Sequence, residues 1–506
     1  MKHSLIKRSN TPFFFLSVEL LLISSTISCQ QKKSKDKDGN PNIIVILADD
    51  MGYGDINANN PKSKIPTPNL DKLVHKGINF SDAHSNSAVS TPTRYGLLTG
   101  RYCFRSRLKS GVLSGYQNPL IEDSVSTIAQ LVKQKSYQTA CIGKWHLGLG
   151  WQKKDQSLPL TKNGKDQLAP KNTDNVNYNA EIKGTPIDYG FDYGYIIPAS
   201  LDITPYVFIE NNRATNLPMH KIDGVSSERG VFYRTGDAAT GFIHENVLQT
   251  FIDKAKEFIK RVDNQKPFLL YLPLNAPHTP WLPTAKYRGM SKAGIYGDYI
   301  CMVDDMVGQI ETLLKKMDID DNTIVIFTSD NGSHWTLDDI KKFKHRANGN
   351  RRGMKSDIYD GGHRIPFVVK WGNHLKGGKN TDQLICMTDI YSTIADILNI
   401  NKKPRQGLDS KTFLPYLINP NKDKTEHTIV HHSVRGEFAI RKGDWKLIDC
   451  YGSGGWSPAS PSNQKDKSKV QLYNMRKDSL EQTNVAVQYP EIVNELKLEL
   501  ETIKKK

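Results

Sequence analysis

The chain has 506 residues, 38% of them hydrophobic, which is too long for one small core and suits a large α/β domain with a smaller one appended. Its 69 Lys and Arg against 53 Asp and Glu leave a formal charge of +16, a field that favours polyanionic partners: nucleic acid, anionic lipid or a sulfated glycan. The cations are spread along the chain without a zinc-finger spacing, a helix-turn-helix pattern or an aromatic RNA-binding motif, so nucleic acid is set aside and a solvated basic surface accounts for most of the charge.

Residues 1–29 read as an export signal: Lys2, Lys7 and Arg8, an apolar run from Phe13 to Ile23 too short to span a bilayer, then small residues ending at Cys29. Thr26-Ile27-Ser28-Cys29 resembles a loose bacterial lipobox, in which Cys29 is lipidated, and implies an exported chain anchored in the periplasm or on the outer-membrane surface. Glu19 inside the run and Thr26 in place of an aliphatic residue keep plain secretion open. Residues 30–41 form a polar, lysine-rich tether. Cys103, Cys141, Cys301, Cys386 and Cys450 show no paired spacing, so a disulfide scaffold is excluded and buried free thiols are expected.

From residue 42 to about 420, apolar strands alternate with helical patterns, which predicts a large mixed, mostly parallel sheet sandwiched by helices. Strands are expected at Asn42–Ala48, Thr139–Ile142, Pro267–Leu272, Thr323–Thr328 and Pro366–Trp371. Helices are expected at Ser124–Lys135, at Cys301–Met317 with its strong apolar stripe, and at Asp389–Leu398 with Thr388 as cap. Past residue 421 the pattern changes to short strands, Glu437–Ile440 and Trp445–Ile448, and a terminal helix from Pro490, which predicts a small antiparallel sheet plus helix. The stretches 151–185 and 452–469 have little periodicity and read as surface loops.

Asp49 and Asp50 follow the first strand directly, as Asp330 and Asn331 follow the strand Thr323–Thr328. Parallel sheets place ligands at those strand ends. Four hard oxygen donors gathered there suit Ca²⁺, which takes 6–8 oxygens at roughly 2.3–2.6 Å. Singly, either pair is explained as a turn after a strand. Jointly with Ser90-Thr91-Pro92-Thr93-Arg94 and its Leu97-Leu98-Thr99-Gly100-Arg101 tail they form a constellation.

That constellation resembles the type I sulfatases of the alkaline phosphatase superfamily. Gly143-Lys144-Trp145-His146-Leu147-Gly148 is similar to their second signature, and Ala276-Pro277-His278 to a histidine element. Thr328-Ser329-Asp330-Asn331-Gly332 is similar to the second metal half, and Arg352-Gly353-Met354-Lys355 through Gly361-Gly362-His363-Arg364 to the sulfate-binding lysine element. Leu472-Tyr473-Asn474-Met475 resembles the family's last strand. The resemblance implies that Ser90 is oxidised to formylglycine (3-oxoalanine) by a radical-type maturating enzyme. It further implies that Asp49, Asp50, Asp330 and Asn331 hold one divalent cation, Ca²⁺, together with residue 90. Arg94 would orient the aldehyde hydrate, Lys144 and Lys355 would neutralise sulfate oxygens, His146 would act as base and His278 as acid. Asp360 stands where many relatives have Glu, a change expected to affect packing.

The implied substrate is a sulfated carbohydrate, with galactose or N-acetylgalactosamine 6- or 4-sulfate favoured. His334, Trp335, His345 and Arg346 after the metal pair, and Asp202, Thr204 and Tyr206 in a separate segment, could line the sugar pocket. His431 and His432 are expected at the surface. Two rivals stay open: a phosphoester or phosphonate hydrolase of the same superfamily, and a lipoprotein that binds sulfated glycan without turnover.

Overall fold

In Asn42–Ala48 (β1) every side chain from Ile43 onward is apolar, and successive residues enter opposite cores. Ile43, Val45 and Leu47 join one, while Ile44, Ile46 and Ala48 join the other. A period of two with both faces apolar marks a strand at the centre of a sheet covered on both sides. The computed structural model describes residues 39–163, 166–263, 265–458 and 469–506, and Asn40–Lys506 form one compact unit. The export signal, Cys29 and nearly all of the tether lie outside the described residues.

Around β1 lie β2 (Ile78–Phe80), β3 (Gln138–Lys144), β4 (Tyr193–Ile197), β5 (Ile209–Glu210) and β6 (Arg213–Ala214). They are joined by β7 (Phe268–Pro273), β8 (Thr323–Ser329), β9 (Phe367–Trp371) and β10 (Lys379–Thr381). The ten strands run in the order β10-β2-β9-β8-β1-β7-β3-β4-β5-β6. The central block β8-β1-β7-β3-β4 is parallel throughout, and β9, β5 and β6 are antiparallel to their neighbours. One face is covered by α2 (Ser90–Thr99) and α5 (Ile390–Ile397), the other by α1 (Pro68–Lys76), α3 (Val247–Arg261) and α4 (Gly294–Lys316). The expected mixed, mostly parallel α/β architecture is what the chain adopts.

A second sheet of four antiparallel strands follows: β11 (Thr428–His432), β12 (Phe438–Lys442), β13 (Trp445–Ile448) and β14 (Gln471–Asn474). Leu496 and Leu500 of α6 (Pro490–Lys505) close its core over Val430, Ile440 and Leu447.

Four expectations are corrected. The helix expected at 124–135 is only Ile128–Val132 plus a 3₁₀ turn, because Thr127 and Gln130 form a capping box that starts it late: Gln130 N–H donates to Thr127 Oγ1 at 3.3 Å and Thr127 N–H to Gln130 Oε1 at 3.0 Å. α4 begins at Gly294 rather than Cys301, since burial of Tyr296, Tyr299 and Ile300 outweighs the poor helix propensity of two glycines. Thr388 does not cap α5: its hydroxyl donates to Asp409 O at 3.1 Å, and the Asp389 carboxylate instead accepts Cys386 N–H at 2.8 Å. His431 and His432 are not at the surface but buried, at 0% and 1% exposure, where β11 lies against Ser85 and Ser87. The five described cysteines are free and buried.

Candidate active site

The parallel block delivers the chemistry to one edge. Asp49 and Asp50 leave β1, Lys144 ends β3, Asn275 through His278 follow β7, and Asp330 and Asn331 leave β8. Ser90 arrives from another direction, as the first residue of α2. Pro92 fits that first turn because the N–H it lacks would have no helical partner there. Gly96 is required on the same helix, since a Cβ would stand 2.4 Å from Asn86 Oδ1. Gly100, at φ +62°, ends it with its N–H on Gly96 O. Arg94 lies one turn from Ser90 and therefore on the same face.

Ser90 Oγ lies 3.1 Å from His146 Nδ1. His146 Nε2 is 2.8 Å from Leu113 O, an acceptor only, so Nε2 carries the ring proton and Nδ1 is free to accept from Ser90. Burial, reinforced by the nearby Lys144 and Arg94 charges, holds the His146 pKa well below its usual value, so the ring is neutral near pH 7. Asp50 and His146 both sit in the left-handed region, at φ 67° and 56°, a conformation that non-glycine residues keep mainly where the surrounding structure enforces it.

Three carboxylates face three cations here. Lys144 Nζ donates to Asp49 Oδ2 at 2.6 Å, Arg94 Nη2 to Asp330 Oδ2 at 2.9 Å and Lys355 Nζ to Asp50 Oδ2 at 2.7 Å. Asn331 Nδ2 donates to Asp50 Oδ1 at 2.7 Å. Burial and the Asp49 charge push Asp330 up to about 7. Burial would also raise Asp49, but Lys144, His278 and Arg94 outweigh it and hold it low. Burial lowers Lys144, whereas Asp50 and Asp49 overcome burial at Lys355 and raise it.

His278 is 8% exposed; its Nδ1 lies 2.6 Å from Thr279 O, which leaves Nε2 facing Asp50 Oδ2 at 3.7 Å. Asp202 does reach this site: Oδ1 stands 3.8 Å from His278 Nδ1, while Oδ2 takes Arg234 Nη1 at 2.8 Å. His334 is half-buried, and burial with Arg229 and Lys355 nearby lowers it to about 4.

The other expected pocket residues are placed elsewhere. Tyr206 is 1% exposed, its hydroxyl on Arg234 O and its ring against Tyr233, Phe242 and His244. Thr204, also 1% exposed, packs against Gly115 and Gly236. Trp335 lies in the core beside Tyr296 and Phe343, with its indole N–H on His345 O. His345 is wholly buried, Nε2 2.7 Å from Asp55 Oδ1. Arg346 is exposed and lines a different cavity. Thr204, Tyr206, Trp335 and His345 are thus packed side chains, and Arg346 faces a cavity separate from Ser90.

Two residues near the site were not singled out from the sequence. Trp456 is 48% exposed, its ring 5.1 Å from that of His334. Its backbone N–H is held by Ser356 Oγ and Asp357 Oδ1, both at 2.9 Å, immediately after Lys355. Arg234 ties Asp202 to Asp166. The only local signal was the glycine-rich run that presents Trp456.

A family model described as Sulfatase matches residues 41–400, and one described as N-sulphoglucosamine sulphohydrolase, C-terminal, matches residues 354–506. An N-acetylgalactosamine-6-O-sulfatase of Bacteroides thetaiotaomicron is 33% identical, with 95% of this chain and 97% of that protein aligned. The human N-acetylgalactosamine-6-sulfatase is 28% identical over 75% of this chain and 66% of its own length. A solved structure described as part of the metabolism of multiple glycosaminoglycans by Bacteroides thetaiotaomicron superposes with a TM-score of 0.78 at 31% identity, covering 92% of this chain and 100% of that one. The chain belongs to the sulfatase family, type I within the alkaline phosphatase superfamily, and is a sulfuric ester hydrolase.

Proposed function

We propose that this sulfatase removes O-sulfate from a sulfated carbohydrate, galactose or N-acetylgalactosamine 6-sulfate ahead of the 4-sulfate, using residue 90 as formylglycine and one Ca²⁺. The observation that carries the reading is the buried Ser90 hydroxyl held 3.1 Å from a neutral imidazole nitrogen among three cations. The relatives named as N-acetylgalactosamine-6-sulfatases support the choice of sugar and position. We also read the chain as exported to a bacterial envelope, with a radical-type maturating enzyme acting on Ser90.

The donor set fits a hard cation. Asp49 Oδ1 and Asn331 Oδ1 are buried oxygens without a hydrogen-bond partner, a costly state unless a ligand takes it up. Asp49, Asp50, Asp330, Asn331 and residue 90 would hold the ion. When bound, the cation lowers the cost of charge on a sulfate oxygen, and the oxidised residue 90 offers two hydroxyls on one carbon where serine offers one.

His146 Nδ1 takes the proton from the residue-90 hydroxyl, its tautomer set by the Leu113 carbonyl. Arg94, through Asp330 and the Lys144 carbonyl, fixes the position of residue 90 relative to the carboxylates. Lys144 and Lys355 set two ammonium groups where sulfate oxygens gather charge, stabilisation already in place before the reaction. His278 Nε2 delivers a proton to the departing sugar oxygen, while Thr279 O and Asp202 hold its other nitrogen.

The test is free sulfate released from a panel of monosulfated sugars with Ca²⁺, by the Ser90→Cys chain matured with a cysteine-converting enzyme. Release confined to a galactose-type sugar is expected. Silence on every sugar, with the aldehyde at residue 90 verified by mass spectrometry, overturns the reading.

A further inference from the structure

Away from the reaction centre, a cavity of about 650 Å³ opens between the turn after Asp50, the segment 340–351 and Ser479-Leu480. That volume lies in the range of small-ligand sites. Six cations line it, Lys62, Lys341, Lys344, Arg346, Arg351 and Arg364, and among the described residues no carboxylate does. Two of them are spoken for: Lys341 pairs with Asp338, and Arg364 with Asp82 and Asp360. Lys62, Lys344, Arg346 and Arg351 have no ion-pair partner among the described residues.

Arg351 is the most informative of these. Its guanidinium lies over the Tyr53 ring at 4.2 Å, half-buried, and burial together with the neighbouring Arg364 lowers its pKa to about 10. Asp82 and Asp360, the partners of Arg364, offset part of the charge around Arg351, and the unpaired Lys62, Lys344 and Arg346 leave the concave surface attractive to an anion. Asn59, Asn60, Asn350 and Ser479 add neutral hydrogen-bonding groups of the kind that engage sugar hydroxyls.

The cavity also stands close to the catalytic edge. Gly54 N–H donates to Ala347 O at 2.6 Å, and a Cβ on Gly52 would meet the same oxygen at 2.2 Å, so the 346–349 loop lies directly on the turn that carries Asp50. Arg351 is four residues from Lys355.

We propose that this cavity is a second subsite for an anionic glycan, holding a sulfate- or carboxylate-bearing stretch of a polymer apart from the sugar at residue 90. This rests on the reading of the enzyme as one acting on sulfated carbohydrate.

The test uses the full chain with Ser90→Ala, which binds without turnover, and adds Lys344→Ala with Arg346→Ala, two exposed residues outside the catalytic machinery. Binding is measured against chondroitin 6-sulfate and against desulfated chondroitin, which keeps its carboxylates. At low salt the double substitution should weaken binding of chondroitin 6-sulfate at least about fivefold. A matched loss on desulfated chondroitin assigns the contact to carboxylate, and a loss confined to the sulfated polymer assigns it to sulfate. Lys315→Ala with Lys316→Ala, an equal charge change on exposed α4 residues, should shift binding by less than about twofold. Unchanged binding in the first variant, or an equal loss in the second, overturns the proposal. With residue 90 intact, turnover of a monosaccharide sulfate should stay within about twofold in both variants. Absence of all turnover with the binding loss retained would remove the functional reading and leave the subsite.

Discussion

The stretch from Lys355 to Arg364 feeds two buried charge clusters that are built in opposite ways. In the first, Asp49, Asp50 and Asp330 meet Arg94, Lys144 and Lys355, and two oxygens, Asp49 Oδ1 and Asn331 Oδ1, accept no hydrogen bond, Asp49 Oδ1 facing Arg94 Nη2 only at 3.6 Å. In the second, Lys446 of β13 donates to Asp360 Oδ1 at 2.9 Å and to Glu481 Oε1 at 2.6 Å. Arg364 takes Asp360 Oδ2 at 3.0 Å, and Asp360 N–H takes Glu481 Oε2 at 2.8 Å. Every carboxylate oxygen of Asp360 and Glu481 is therefore used. The closed network ties β13 of the small sheet to the segment leading into β9, whereas the open one leaves two oxygens without a hydrogen bond; the difference lies in satisfaction and not in charge or burial. Asp360 belongs to the closed kind.

The sharpest way to break the comparison is to remove the hydroxyl beside the open cluster and the cation at the centre of the closed one. Ser90→Ala should cut sulfate release at least about 10³-fold, with the melting temperature unchanged. Activity retained above that level would mean that the open cluster is not the reaction centre. Lys446→Ala should cost about 3–5 kcal/mol of stability, read by denaturant unfolding, because it strands two buried carboxylates. A variant that unfolds like the parent would show the closed network to be incidental.

Chelation comes next. If the orphaned oxygens take a cation, adding Ca²⁺ to a chelated sample at about 100 times its dissociation constant should stabilise the fold by about 2.7 kcal/mol and restore turnover. Ser90→Ala should keep most of that stabilisation, and an Asp49→Asn, Asp330→Asn double variant should lose it. No calcium-dependent shift in either protein would contradict the fit.

Acid should probe the closed side. Burial and Arg364 lower His84 to about 4, and burial lowers His432 to about 4, both from 6.5. The folded values lie below the unfolded one, so the unfolded chain binds protons first; this contribution is full above pH 6.5 and is lost progressively as pH falls towards 4. A melting series from pH 7.5 to 4.5 should therefore decline through that window. A flat profile would argue that these rings are not held neutral.

The smallest effect is expected at the rim of the open cluster. Trp456→Ala should raise KM about five- to tenfold with little change in kcat, since the indole is exposed beside His334 and touches none of the reacting groups. A fall in kcat alone would place it in the chemistry instead.

Much of this was legible in the chain. β1 coincides with its expected span, Asn42–Ala48, because the six-residue apolar run Ile43–Ala48 between Asn42 and Asp49 has few other readings. Asp49, Asp50, Lys144, His278, Asp330 and Asn331 converge as their places after strands suggested, since parallel strands deliver their carboxyl ends to one edge, whereas Ser90 and Arg94 come from α2 and Lys355 from a loop. His431, His345, Trp335 and Tyr206 were not legible. Each stands in a polar or mixed local context, and its burial depends on partners far along the chain: Ser85 for His431, Asp55 for His345, Arg234 for Tyr206.

By itself, then, the sequence determined the α/β plan, the strand ends and the residue types of the candidate site, all of which follow from local periodicity and short motifs. Only the tertiary structure decided which charges are closed and which are open, because hydrogen-bond satisfaction is set by residues as far apart as Asp50 and Lys355 or Asp360 and Lys446. It also decided that six cations gather around one cavity, four of them without an ion-pair partner among the described residues. No spacing along the chain encodes that meeting.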